Sequence, residues 1–204
     1  MTSLRKGAWP VWGVSLAWIF VGVLLVPRGF ERGVPGYPRY TYLGEAGLGE
    51  HHLRIQGATL TEDGEYQCQV GPTDGTPPIW AAANVTVLVP PASVRILGWS
   101  SGATVETVSG VPVPLECLAN EARPPAVLTW SRDGSAITNG NVEERVEESS
   151  LVERRWDARS RLHLTPTPAD DGRRFFCQAA HAALEAPLLA FVTLSVLCEY
   201  SPKN

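Results

Sequence analysis

At 204 residues the chain has room for one or two domains. Apolar residues at 44% and aromatics at 8% are enough for ordinary cores and exclude wholesale disorder. A net charge of −4, with no Lys/Arg run able to track phosphates, excludes nucleic acid as a partner class.

In chain order, the first predicted element is a hydrophobic helix. Arg5 and Lys6 precede Ala8 to Val26, in which Ser15 is the only clearly polar residue. As a helix this run reaches about 28 Å, close to the thickness of a bilayer core. Residues 1–32 are therefore expected to be a leader. It is a cleaved signal peptide or an uncleaved signal-anchor holding the membrane through residues 8–26, with a buried helix of a soluble domain as the competing reading. Both leader readings send the rest of the chain to an oxidising compartment.

After Pro35 the pattern changes to short alternating segments, which suits a chain with 19 Gly and 17 Pro. His52-Leu53-Arg54-Ile55 and Tyr66-Gln67-Cys68-Gln69-Val70 each read as half-buried strands. Pro72 to Pro78 reads as a loop and Asn84 to Val89 as a further strand. Pro90-Pro91 cuts the pattern, because proline cannot donate to a strand ladder. We therefore expect a first unit over 33–89, a second over 90–197 and a tail over 198–204. In the second, Val113, Leu115 and Cys117 alternate inward, as do Leu128 and Trp130. Strands are also expected at Arg161 to Leu164, around Phe175 to Cys177, and at about Leu189 to Val196.

The four cysteines, Cys68, Cys117, Cys177 and Cys198, include no CxxC pair, so a zinc or thioredoxin-like site has no support. His51 and His52 are neighbours on a strand and point to opposite faces, which does not suit a shared metal ion. There is no nucleophile-base-acid set and no paired carboxylates with a catalytic task. No enzyme activity, metal or cofactor is expected.

Trp130 follows Cys117 by 13 residues and Cys177 follows it by 60, the grammar of an immunoglobulin sandwich. There the Trp packs on a disulfide, here Cys117–Cys177, that links two sheets. Tyr66, two residues before Cys68, sits where such domains place a corner tyrosine. Phe175 takes that position in the second unit, without the hydroxyl. No cysteine precedes Cys68, so the first unit is expected to lack its opening strands, with their Cys and core Trp. The expected fold is all-β: one complete immunoglobulin-like sandwich and one lacking its first strands, after an N-terminal hydrophobic helix. Cys68 and Cys198 are expected to remain thiols or to form intermolecular links.

An ordered set of motifs carries a family resemblance. Gly36-Tyr37-Pro38-Arg39-Tyr40, Glu65-Tyr66-Gln67-Cys68-Gln69 and Val89-Pro90-Pro91 resemble the first domain of nephrin and its Neph (kin of irregular chiasm) relatives. Leu128 to Gly134 and Ala183 to Pro187 continue the likeness in the second unit. The resemblance implies a cell-surface adhesion protein at cell-cell junctions. Its partners would be related immunoglobulin ectodomains of the nephrin/Neph type, possibly itself. The ending at Leu197 to Asn204 departs from the family, which runs on into further domains, a membrane span and a tail. The alternative is a truncated soluble or tethered fragment without adhesive activity, from a splice form or a partial gene model.

With Tyr66, Cys68 and Val70 inward, Gln67 and Gln69 face outward on the sheet this family uses for adhesion. They, the Pro72 to Pro78 loop and Trp80 are the expected binding residues. The competing reading is an ordinary solvated sheet face. Asn84-Val85-Thr86 is an N-glycosylation sequon.

Overall fold

The computed structural model describes residues 2–4, 16–20, 23–25, 33–45, 48, 50–72, 75–138 and 141–197. The chain divides into two compact units, Met1–Val87 and Leu88–Asn204. Apart from short helical turns, the described elements of both are strands.

In unit 1 the strands are β1 (Thr2–Leu4), β2 (Leu16–Phe20), β3 (Val23–Leu25), β4 (Gly33–Val34), β5 (Tyr37–Leu43), β6 (His52–Ile55), β7 (Gly64–Val70) and β8 (Ile79–Val85). They form two four-stranded sheets, ordered β1-β6-β5-β4 and β3-β2-β7-β8. In β6 the alternation is as expected: Leu53 and Ile55 are buried, while His52 and Arg54 are not. Val34, Tyr40, Leu53, Ile55, Tyr66 and Val85 make the core.

Two expectations are corrected here. The described residues between Ala8 and Val26 form strands β2 and β3, not a helix. The opening half of the unit is not missing either. β1 pairs with β6, setting Leu4 opposite Leu53. β2 pairs with β7, setting Trp18 opposite Cys68. The physical cause of the misreading is that a short apolar run has no periodicity separating a buried strand from a helix. The remainder of 8–26, and with it the question of a cleaved or anchoring leader, lies outside the described residues. Among the described residues no helix is long and apolar enough to cross a membrane.

Tyr66 is fully buried, at 0% exposure, and its hydroxyl donates to the Glu62 backbone carbonyl at 3.1 Å. This bond ties the start of β7 to the turn before it. Tyr66→Phe should leave that buried carbonyl unsatisfied and cost unit 1 about 1–3 kcal/mol. Hydrogen exchange at Tyr66 to Val70 should speed up accordingly, with no change at Phe175 to Gln178.

Unit 2 holds β9 (Ser93–Ile96), β10 (Thr104–Val108), β11 (Val113–Ala122), β12 (Val127–Arg132), β13 (Ser135–Ala136), β14 (Val142–Glu148), β15 (Trp156–Leu164), β16 (Arg174–Ala180) and β17 (Leu188–Leu197). One sheet is ordered β14-β15-β11-β9, the other β10-β17-β16-β12-β13. Every pairing is antiparallel except β10 with β17, which is parallel. The Cys117–Cys177 disulfide joins β11 in one sheet to β16 in the other, with Cα atoms 6.4 Å apart. Trp130 is buried in the same core, and its indole Nε1 donates to the buried Ser160 Oγ at 3.0 Å. Phe175 is buried there too. Cys198 lies outside the described residues.

Trp130 stands opposite Cys177 in the register that Trp18 takes opposite Cys68. β2 and β3 form a hairpin, as β12 and β13 do. The apolar stretch at the front of the chain thus fills the place of β12 and β13 in the unit 1 sandwich.

Candidate protein-docking face

On β7 successive side chains take opposite faces; Tyr66 is buried, Glu65 exposed and Gln67 to Val70 half-buried. Tyr66 points into the core, and Glu65, Gln67 and Gln69 take the other face. The pairing with β8 sets Glu65 opposite Asn84, Gln67 opposite Ala82 and Gln69 opposite Trp80. Directly opposed residues of an antiparallel pair share a face. One face therefore collects Gln67, Gln69 and Trp80, the expected binding residues, and also Asn84, read from the sequence only as a modification site. β2 extends the register, with Ile19 opposite Gln67 and Ala17 opposite Gln69.

Trp80 is 68% exposed, an unusual state for so large an apolar ring. Its strand neighbour Ile79 is also exposed. Gln67 is half-buried, and its Nε2 donates to Glu65 Oε1 at 2.8 Å. Gln69, half-buried beside the indole, offers an amide donor and an acceptor. Of the Pro72 to Pro78 loop, Thr73 and Asp74 lie outside the described residues.

Behind this face a buried carboxylate anchors the turn that feeds β7. Thr59 and Glu62 form a capping box around the short helical turn Leu60–Glu62. Glu62 is 3% exposed. Its carboxylate accepts from the Thr59 amide at 2.7 Å, from the Thr59 hydroxyl at 2.9 Å and from the Thr61 hydroxyl at 2.8 Å. Arg39 of β5 adds an ion pair, and the Tyr40 hydroxyl a longer bond at 3.4 Å. Burial alone would raise the Glu62 pKa. The Thr59 amide, the Thr61 and Thr59 hydroxyls and Arg39 together outweigh burial and hold it at about 2. Next along, Asp63 Oδ2 accepts from the Val87 amide at 2.9 Å, pinning the chain just after β8.

Unit 2 repeats the device with different parts. Asp170 is buried, accepts from the Thr167 amide at 2.8 Å and hydroxyl at 2.7 Å, and pairs with Arg132 of β12 at 2.7 Å. Burial opposes ionisation here as well, and the Thr167 and Arg132 bonds still hold the carboxyl below its ordinary range. Asp171 Oδ1 takes the Val196 amide at 2.9 Å. The arginine comes from β5 in unit 1 and from β12 in unit 2, so no fixed spacing in sequence reveals it. The Thr-x-x-Glu and Thr-x-x-Asp patterns were the legible part.

The matching face of unit 2 carries different chemistry. Gln178 stands opposite Leu189 as Gln69 stands opposite Trp80. Phe176, in the place of Gln67, stacks on Phe191 with ring centroids 5.2 Å apart.

Comparison with known proteins gives these geometries a context. A CD80-like C2-set immunoglobulin domain profile matches residues 100–187. Human nephrin is 30% identical over 190 residues, 93% of this chain and 15% of nephrin. Human Kin of IRRE-like protein 2 is 33% identical over 193 residues, 94% of this chain and 25% of that protein. The chain thus spans a quarter or less of the curated relatives it matches. The crystal structure of Rst D1-D2 is similar with a TM-score of 0.76 at 29% identity, covering 96% of this chain and 91% of that one.

Proposed function

We propose that this chain, which belongs to the nephrin and Kin of IRRE-like family of immunoglobulin-superfamily proteins, is a cell-cell recognition protein. Its unit 1 docks onto related immunoglobulin ectodomains, a second copy of itself included. The working surface is the face carrying Gln67, Gln69 and Trp80, and the place of action is outside the cell at cell contacts. The Cys117–Cys177 disulfide supports that location, because such bridges persist in oxidising compartments.

The observation that carries the reading is Trp80, 68% exposed and facing Gln69 across the strand pair. A large aromatic among polar amides has the composition of an interface anchor: the ring supplies buried area, and the amides supply hydrogen bonds at the rim. On a solvated face without a partner, the same indole gains nothing from its exposure.

The test is surface binding of the secreted chain to itself and to nephrin and Kin of IRRE-like ectodomains. Trp80→Ala should weaken binding by roughly 30-fold, or about 2 kcal/mol. Gln69→Arg should act in the same direction by placing an unpaired charge in the contact. Unchanged affinity in both variants would place the contact elsewhere.

A further inference from the structure

From the placement of the sequon we infer that an N-linked glycan on Asn84 bounds the docking face, covering its Glu65 corner and confining protein contact to the Gln69–Trp80 end. The inference rests on the docking reading given above. Asn84 and Thr86 are both exposed, and β8 ends at Val85 between them, so the acceptor amide and the hydroxyl are both open to the transferring enzyme. Asn84 lies directly opposite Glu65, where paired Cβ atoms are about 5 Å apart. Trp80 lies on the same strand and face, about 13 Å away. A branched sugar rooted at Asn84 therefore crowds Glu65 most and the indole least.

The modification needs a lipid-linked oligosaccharide donor. Asn84 Nδ2 forms a bond to C1 of the first sugar. The bond from that carbon to the lipid pyrophosphate breaks, and the lipid pyrophosphate leaves with the amide proton.

The experiment uses the whole chain from a secretory host. Peptide:N-glycosidase digestion should release a glycan and convert residue 84 to aspartate. Self-association is then compared among native protein, enzymatically deglycosylated protein, Asn84→Gln and Thr86→Ala. The deglycosylated wild type guards against a folding defect in either variant. All three bare forms should bind severalfold more tightly than native protein. Glu65→Arg, which also releases the Gln67 amide, should weaken binding more in the bare forms than in the sugar-bearing protein. An unmodified Asn84, or bare forms that bind like native protein while Trp80→Ala still loses binding, overturns the glycan boundary alone. Trp80→Ala binding at full strength in bare protein overturns the docking reading and the boundary with it.

Discussion

Replacing Cys117 and Cys177 together with alanine should destabilise unit 2 by about 4 kcal/mol. The bridge closes a loop of 60 residues, and the chain-entropy account of such a loop gives a cost of that size. Both cysteines are buried in the core, so the change also removes packed atoms between the sheets. Set against a typical domain stability of about 5–15 kcal/mol, the loss takes a large share. Hydrogen exchange over Phe175 to Gln178 should rise steeply, with Tyr66 to Val70 as the internal reference. A denaturation midpoint for unit 2 that does not move would show that packing around Trp130 suffices without the bridge. Unit 1 has no counterpart to this test, since Cys68 is the only cysteine between Met1 and Val87.

Glu62→Gln should weaken unit 1 and remove a pH dependence that the native chain shows. The Glu62 carboxyl sits at about 2 in the folded chain against an ordinary 4.5. A folded pKa below the unfolded one stabilises the fold above pH 4.5, and that stability drains away as pH falls from 4.5 towards 2. Taken whole, the shift corresponds to about 3 kcal/mol. Arg39 is 42% exposed, so water screens its share, and about 1–2 kcal/mol is the expected contribution. Denaturant titrations of unit 1 at successive pH values should show this acid limb in the native chain. The Gln variant should be weaker at neutral pH and flatter across that window. A native profile that stays level between pH 5 and pH 2 would remove Glu62 from the account.

The second sandwich was legible because its signal is local and redundant. Cys117, Trp130 and Cys177 have a characteristic spacing, and alternation marks the strands around them. The first was half hidden. Leu16 to Phe20 is apolar throughout, so burial on a strand and burial in a membrane write the same letters. One clue was present: Trp18 and Gly22 repeat the spacing of Trp130 and Gly134. The strand expected at Asn84 to Val89 is instead Ile79–Val85; Ala81 to Ala83 carry little strand preference, which hid its start. On β7 alternation alone assigns Gln67 and Gln69 to one face, and Trp80 was named from its nearness in sequence. That Trp80 and Asn84 share that face needed the register. The Arg39–Glu62 pair could not be read at all, since only the fold brings β5 beside the turn before β7.

The parallel pairing of β10 with β17 has a mechanical consequence. Tension carried through unit 2 enters on the β9 side and leaves through β17, so it pulls Thr104–Val108 and Thr193–Leu197 past one another. Bonds sheared in this way share the force and fail together, whereas a hairpin opened from its end gives way one bond at a time. If the patch does yield, the Cys117–Cys177 bridge still withholds its 60-residue loop, about 200 Å of extended chain. Under tension along the chain, unit 2 is a stiff link with a short, fixed reach.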